Sequence, residues 1–573
     1  VSPSSPATPA TPTTPATPTT PATPATPAAA GTTAAQSQAP HATGRPSREQ
    51  AEAILARPAG SLSFGGSSGG RLIAGRRMPL RGRGFAFLPH IPARQTRWGV
   101  SELIDLIPRA CAAVDAALPG TTVRLGNLSK HHGGRSQWHA SHQSGRDIDI
   151  AFLVRDAAGA PADVDNFVRF GRRGRARHRL ANGKTVEFDA RRNLALVRAL
   201  VEDPAVQVQW IFVARWLKTR IIAQAKAARV AAETIERLKR VLHQPGDSAP
   251  HDDHFHVRVY CSDEDRNHGC LDRGPVWPWI VRDDAGWRAR VGQVSRVLLA
   301  PDAGLRRRGV QLLEALRAEP AIDALVASLD DGDAEVRRAA LRALTTIGSS
   351  AAVPGLRRWL RTSADVEQVR ATLAVMERLD PSLSGDLGLA LLSHPDRVLS
   401  ASLAAHVPDT LEAHAIRLVG LHHVAPAVPA LIARIESPSR SLRLAAHRAL
   451  GAITNQPVRD RMLIRGDRRG HAKVAAVWRR FWREHGKANW LTWMRVGLRA
   501  RGYRFRSPGF GRRDVAELVR AVGHRDPIVA ENAGRVLTSL TGHRYHAPHA
   551  SRGARVRHWR RWWRRNGKRV RGL

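Results

Sequence analysis

Ser141-His-Gln-Ser-Gly-Arg-Asp-Ile-Asp149 runs directly into Ile150-Ala-Phe152, and His251-Asp-Asp-His-Phe-His256 runs into Val257-Arg-Val-Tyr260. In both stretches ligand-capable side chains give way to alternating apolar ones, the period-two pattern of a half-buried strand. Asp147 and Asp149 share strand parity, and so do His254 and His256, so each pair projects from one face of its strand. Gly145 permits the turn that carries His142, in the preceding loop, back toward that face. Two such strands offer two imidazoles and one carboxylate to a metal ion, with a further imidazole beside them, which is the ligand set of a catalytic zinc site. The spacing does not choose between Asp147 and Asp149. No His-Glu-x-x-His occurs in the chain, which excludes the helical zinc-peptidase arrangement.

Working outward, apolar periodicity predicts helices over 100–118, 191–202 and 215–242, and strands over 121–128, 147–154, 206–213 and 254–260. The elements are interspersed without a regular βαβ rhythm, so residues 46–285 are expected to form an α+β domain whose small antiparallel sheet carries the zinc site. Three cysteines are few for 573 residues. Cys261 and Cys270 flank a short polar loop and suit a local disulfide in an oxidising compartment. Cys111, among Ile107, Ala110 and Ala113, reads as a buried structural thiol.

Residues 1–45 are almost entirely Pro, Thr, Ala and Ser. They cannot bury a core and are expected to form a disordered, extended tether. Beyond residue 285 strand patterns vanish. Asp302-Ala-Gly-Leu-Arg-Arg-Arg-Gly-Val-Gln-Leu-Leu-Glu-Ala-Leu316 recurs as Asp333-Ala-Glu-Val-Arg-Arg-Ala-Ala-Leu-Arg-Ala-Leu-Thr-Thr-Ile347, with weaker echoes at 365–379 and 439–453. Self-similarity at this period predicts stacked helix pairs, an all-α solenoid similar to HEAT repeats over 286–455. Residues 456–573 form a basic Trp/Arg-rich region in which Trp478-Arg-Arg-Phe-Trp482 matches Trp559-Arg-Arg-Trp-Trp563. These stripes suit either a stacking surface for sugars or bases, or a solenoid core with solvated arginines; the core is favoured, because apolar helix stripes usually pack inward.

Lys and Arg number 90 against 49 Asp and Glu, a net charge of +41. Such a chain is drawn to polyanions, with an anionic wall or protein partner ranked above nucleic acid. No stretch approaches the roughly 20 apolar residues of a membrane-spanning helix.

From about Gly60 to Pro275 the chain resembles the penicillin-insensitive murein endopeptidases, within the group that includes lysostaphin-like enzymes, D-Ala-D-Ala metallopeptidases and the hedgehog fold. The resemblance is carried by Met78-Pro-Leu-Arg-Gly-Arg-Gly84, Arg97-Trp-Gly99, Leu125-Gly-Asn-Leu-Ser129, Ser141 to Asp149, Asp189-Ala-Arg-Arg-Asn193, Val208-Gln-Trp-Ile-Phe-Val213, Gln244-Pro-Gly-Asp247 and His251 to Cys261. It implies that His142, Asp149 and His256 ligate one zinc ion and that His254 is the catalytic imidazole. His139 and His251 then flank the site, as hydrogen-bonding neighbours of the ligands in the favoured reading, or in direct contact with metal or substrate. The implied activity is hydrolysis of D-alanyl–meso-diaminopimelyl cross-links in peptidoglycan, by a secreted enzyme of the periplasm or cell envelope. A D,D- or L,D-carboxypeptidase on the same site, or a wall- or polyanion-binding scaffold, are the alternatives.

Overall fold

The computed structural model describes residues 44–573, apart from 179, 181, 182, 247, 460, 507, 508, 546–550 and 570–573. The expected tether over 1–45 therefore lies outside the described residues but for its last two positions, as does Asp247 of the Gln244 segment.

Seven strands build the central sheet: β1 (Arg81–Gly82), β2 (Phe85–Phe87), β3 (Val123–Leu125), β4 (Asp147–Ala151), β5 (Val208–Phe212), β6 (Leu242–His243) and β7 (His254–Val259). Their spatial order is β6-β5-β7-β4-β3-β2-β1. The four middle strands, β5, β7, β4 and β3, pair antiparallel, while β6 joins β5 and β2 joins β3 in parallel. The expected small antiparallel sheet is thus the centre of a larger mixed one. The additional strands are two or three residues long, too short to show an alternating pattern. The expected helix over 215–242 is likewise two helices, Arg215–Ala227 and Ala232–Val241, followed by β6. Arg229, at φ 51°, turns the chain between them. No Gly or Pro marks that break in the sequence.

Alternation sorts the faces. Ile148, Ile150, Phe255, Val257 and Val259 point into a core shared with Leu103, Leu106 and Ile107 of helix Ser101–Ala117 and with Leu196, Val197 and Leu200 of helix Ala190–Val201. Each such fully buried side chain contributes roughly 1.5–3 kcal/mol. The opposite face is left to the polar residues at the alternate positions. Cys261 and Cys270 are joined by a disulfide just after β7, and Cys111 is buried, its thiol pushed up to about 12 by desolvation.

From Asp284 onward the described residues are helical. The repeated aspartates have a local cause: Asp302, Asp333 and Asp365 are helix N-caps, each accepting a backbone N–H of its own first turn. Four residues past the cap, Arg306 and Arg337 donate to two carbonyls of the loop before it, those of Ala300 and Pro301 and of Asp331 and Gly332. Arg443 does the same for Ser437 and Pro438. Trp478, Phe481 and Trp559 are buried in the helical core, as the favoured reading of the Trp/Arg stripes has it. Helix Arg48–Leu55, which opens the stretch expected to be the peptidase domain, packs instead on this array: Ala51 and Leu55 form a cluster with Val297, Ala300 and Leu305.

Candidate metal centre

The site occupies the polar face of β4 and β7. Register sets His256 opposite Asp149 and Arg258 opposite Asp147. Directly opposed residues of an antiparallel pair share a face, so four functional side chains are brought together by one ladder. β3 continues as Gly126-Asn127, whose backbone exchanges hydrogen bonds with Asp149. A Cβ on Gly126 would lie 2.9 Å from that of Asp149, so only glycine lets the chain approach so closely. His142 (φ 61°) and His251 (φ 51°) hold left-handed backbone conformations. These are uncommon for a side chain of this size and are found where surrounding structure imposes them.

Four imidazoles surround the Asp149 carboxylate. His142 Nε2 lies 3.2 Å from it, His139 Nε2 and His254 Nε2 each 3.4 Å, and His256 Nδ1 3.7 Å. His251 stands behind them, its ring 5.3 Å from His254 and 5.7 Å from His256. Asp147 lies on the same face, at the edge of the cluster beyond His256. Its Oδ1 accepts from His256 Nε2 at 2.8 Å and from Arg258 Nε at 2.6 Å. An ionised carboxylate can only accept, so His256 carries its proton on Nε2 and turns the Nδ1 lone pair toward Asp149. The two aspartates that spacing leaves equivalent thus differ in position: one lies at the centre, the other orients a ligand.

Proximity alone groups His139 with His142 and Asp149, whose ligand atoms lie within 4.8 Å of one another. Hydrogen bonding separates them. Asn127 Oδ1 accepts from Thr96 Oγ1, which turns its amide so that Nδ2 donates to His139 Nε2 at 2.8 Å. That lone pair of His139 is engaged. His142, by contrast, is 1% exposed, and neither of its ring nitrogens has a hydrogen-bond partner; nor has Asp149 Oδ1. Buried polar atoms are ordinarily satisfied. A lone pair of His256 facing a carboxylate oxygen across 3.7 Å, with a partnerless imidazole alongside, suits a cation between them. The residues present therefore fit a metal ion.

Electrostatics agree with that arrangement. Burial works against the Asp149 charge, yet His142 and His254 hold its carboxyl well below the usual range. Burial pushes His256 down to about 3 and His139 to about 4, so both are neutral, and His256 keeps a lone pair free. His254 is also desolvated, but Asp149 and Asp253 outweigh burial and raise it to about 10. Asp253 Oδ1 sits 2.8 Å from His254 Nδ1, and the Phe167 ring lies 4.6 Å from the imidazole.

Arg146, between Gly145 and Asp147, is buried and holds the motif in place. It donates to Ser63 Oγ, to the Val259 and Leu271 carbonyls and to Asp272. Asp272 in turn accepts from the Cys261 amide and from Arg282, so the motif is tied to the disulfide loop. Spacing assigns no role to Arg146 or Asn127, because their partners lie far away in sequence; both nonetheless stand inside segments that carry the family resemblance.

Comparison with known proteins bears on this geometry. Residues 63–278 match the penicillin-insensitive murein endopeptidase family. The aspartates and histidines of the cluster all fall inside that match, and the resemblance noted in the sequence is borne out. The matched region ends just beyond the disulfide loop. A second match, to HEAT repeats, covers residues 294–376. No curated protein matches the chain. Among solved structures, the complex of CpcE and CpcF of phycocyanin lyase from Nostoc sp. PCC7120 is similar over 50% of this chain and 97% of that one, at 18% identity and a TM-score of 0.21.

Proposed function

We propose that the chain is a secreted, zinc-dependent murein endopeptidase that hydrolyses D-alanyl–meso-diaminopimelyl cross-links of peptidoglycan in the periplasm or cell envelope. The family match supports a murein endopeptidase. The observation that carries the metal-dependent reading is the convergence of His142, His254 and His256 on Asp149, with both nitrogens of His142 and the Asp149 Oδ1 lacking partners of their own.

In this reading His142, Asp149 and His256 hold the ion, and Asp147 fixes the tautomer of His256. When bound, zinc supplies polarisation of the scissile carbonyl and a water of lowered pKa. His254 presents Nε2 to the same space. Backed by Asp253, it gives or takes a proton, or donates to the oxygen on which negative charge develops. Asp149 and Asp253 set the proton affinity of His254, and a cation held at Asp149 would lessen the first of these pulls. His139 and His251 flank the ligands. The net positive charge of the chain draws it toward the carboxylate-bearing cross-links.

The test joins metal content to product analysis. Wild-type protein is expected to carry one zinc ion and to convert cross-linked muropeptide dimers to monomers, and His142→Ala to lose both. A fully metallated protein that leaves dimers intact defeats the endopeptidase reading. Release of a free terminal amino acid from monomers would make it a carboxypeptidase.

A further inference from the structure

A cleft of about 840 Å³ opens among the C-terminal helices, far along the chain from the metal centre and lined from helices Trp490–Arg499, Pro527–Thr541 and Arg552–Asn566. That is the size of a small-ligand site. Three guanidinium groups line it, those of Arg535, Arg544 and Arg555, against a single carboxylate, Glu531. Among the described residues none of the three is ion-paired. Arg535 donates to Asn532 Oδ1 and lies with its guanidinium 5.0 Å from the centre of the Trp490 ring. Arg555 Nε is buried without a hydrogen-bond partner.

Withdrawing cations from water without a counter-charge is costly, and an anion in the cleft offsets that cost. Arginine forks also match a carboxylate in two-point geometry. The rest of the lining selects among anions. Trp490, Tyr545 and Trp559 supply ring surfaces, while Ser539, Thr538 and Glu531 supply groups that hydrogen-bond hydroxyls. A polyphosphate chain has no hydroxyl to offer them. A ring carrying both hydroxyls and one carboxylate uses every part of the lining.

We propose that this cleft binds an acidic sugar, the saccharide unit of murein glycan from which the stem peptide has been removed so that the lactyl carboxylate is free, and so holds the chain on peptide-free stretches of its polymer. The choice of saccharide rests on the murein reading of the peptidase segment. The surrounding region favours such an anion: residues 456–573 hold 31 Lys and Arg against 7 Asp and Glu.

The full chain is titrated by ligand-observed NMR with N-acetylmuramic acid, with neutral N-acetylglucosamine and with deoxyadenosine 5′-phosphate. N-Acetylmuramic acid is expected to bind at least roughly tenfold more tightly than the neutral sugar, and Arg535→Gln and Arg555→Gln to weaken it by a similar factor. Arg544→Gln, at an exposed position, weakens it too without threatening the fold. All three variants are expected to keep wild-type metal content, cleavage of muropeptide dimers and melting temperature. Equal binding of the neutral sugar, tighter binding of the nucleotide, or undiminished binding by all three variants overturns the proposal. Sugar binding by a protein that cleaves no dimers overturns the peptidase reading and leaves the cleft standing.

Discussion

At His256 the Nε2–H is committed to Asp147, so the nitrogen left to face Asp149 is chosen by a neighbour outside the cluster of donor atoms. Asp147→Asn removes that commitment and the charge paired with Arg258. Metal affinity is expected to fall by roughly 10–100-fold, as read by competition with a chelator, with the secondary structure retained. Asp265 offers a second test at this scale. Desolvation, with Glu102 nearby, raises its carboxyl to about 7, and Oδ2 is buried without a partner. Between about pH 4 and 7 the folded chain therefore holds a proton that the unfolded chain has lost, so stability falls as pH rises through that window. Below it the acid is neutral in both states and costs nothing; above it the penalty is complete. Asp265→Asn keeps an acceptor for the Ser63 amide and removes the charge. The variant is expected to melt several degrees higher than wild type at pH 8 and at the same temperature at pH 4, as followed by circular dichroism.

Elements divide into those whose pattern is local and those whose pattern is not. β4 and β7 were legible because five or six alternating residues each encode a buried and a polar face. The paired parity of Asp147 with Asp149 and of His254 with His256 places all four correctly on one face. What parity cannot show is register: only the pairing of His256 with Asp149 and of Arg258 with Asp147 separates the two aspartates. Edge strands such as Arg81–Gly82 are invisible because two residues carry no period. The left-handed turn at Arg229 lacks the glycine that would announce it. In the helical array the repeat was visible, and its structural cause is the cap and the arginine four residues on. Asp333→Ala is expected to cost about 1 kcal/mol and Arg337→Ala about 1–3 kcal/mol, since it frees two loop carbonyls; urea denaturation reads both. Reducing the Cys261–Cys270 disulfide reopens a nine-residue span and is expected to lower stability by about 2–3 kcal/mol. Through Asp272 and Arg146 that loss reaches the metal motif, so metal affinity should fall with it.

Over the whole molecule, the sheet core and the helical core are separate sets of side chains, and the sheet core draws on nothing beyond Trp279. A chain lacking residues from 286 onward is expected to bind metal and cleave soluble muropeptide dimers at near wild-type rates, but to act more slowly on intact sacculi. Equal rates on sacculi would show that the array contributes nothing to polymer capture. The same truncation strips the cover from Ala51 and Leu55, so its first residues should become sensitive to protease while the sheet does not. No helix among the described residues is long and apolar enough to cross a membrane.

The placement of helix Arg48–Leu55 on the array also sets an order of events during synthesis. Eight residues are too few to hold a helix alone in water. Its partners, Val297, Ala300 and Leu305, emerge only after the whole sheet-bearing domain has been made, a wait of roughly 12–50 s at ribosomal speeds. The first helix among the described residues therefore forms late relative to its own synthesis. It docks on the opening of the array after the preceding domain has been made, so its docking marks the start of the second half.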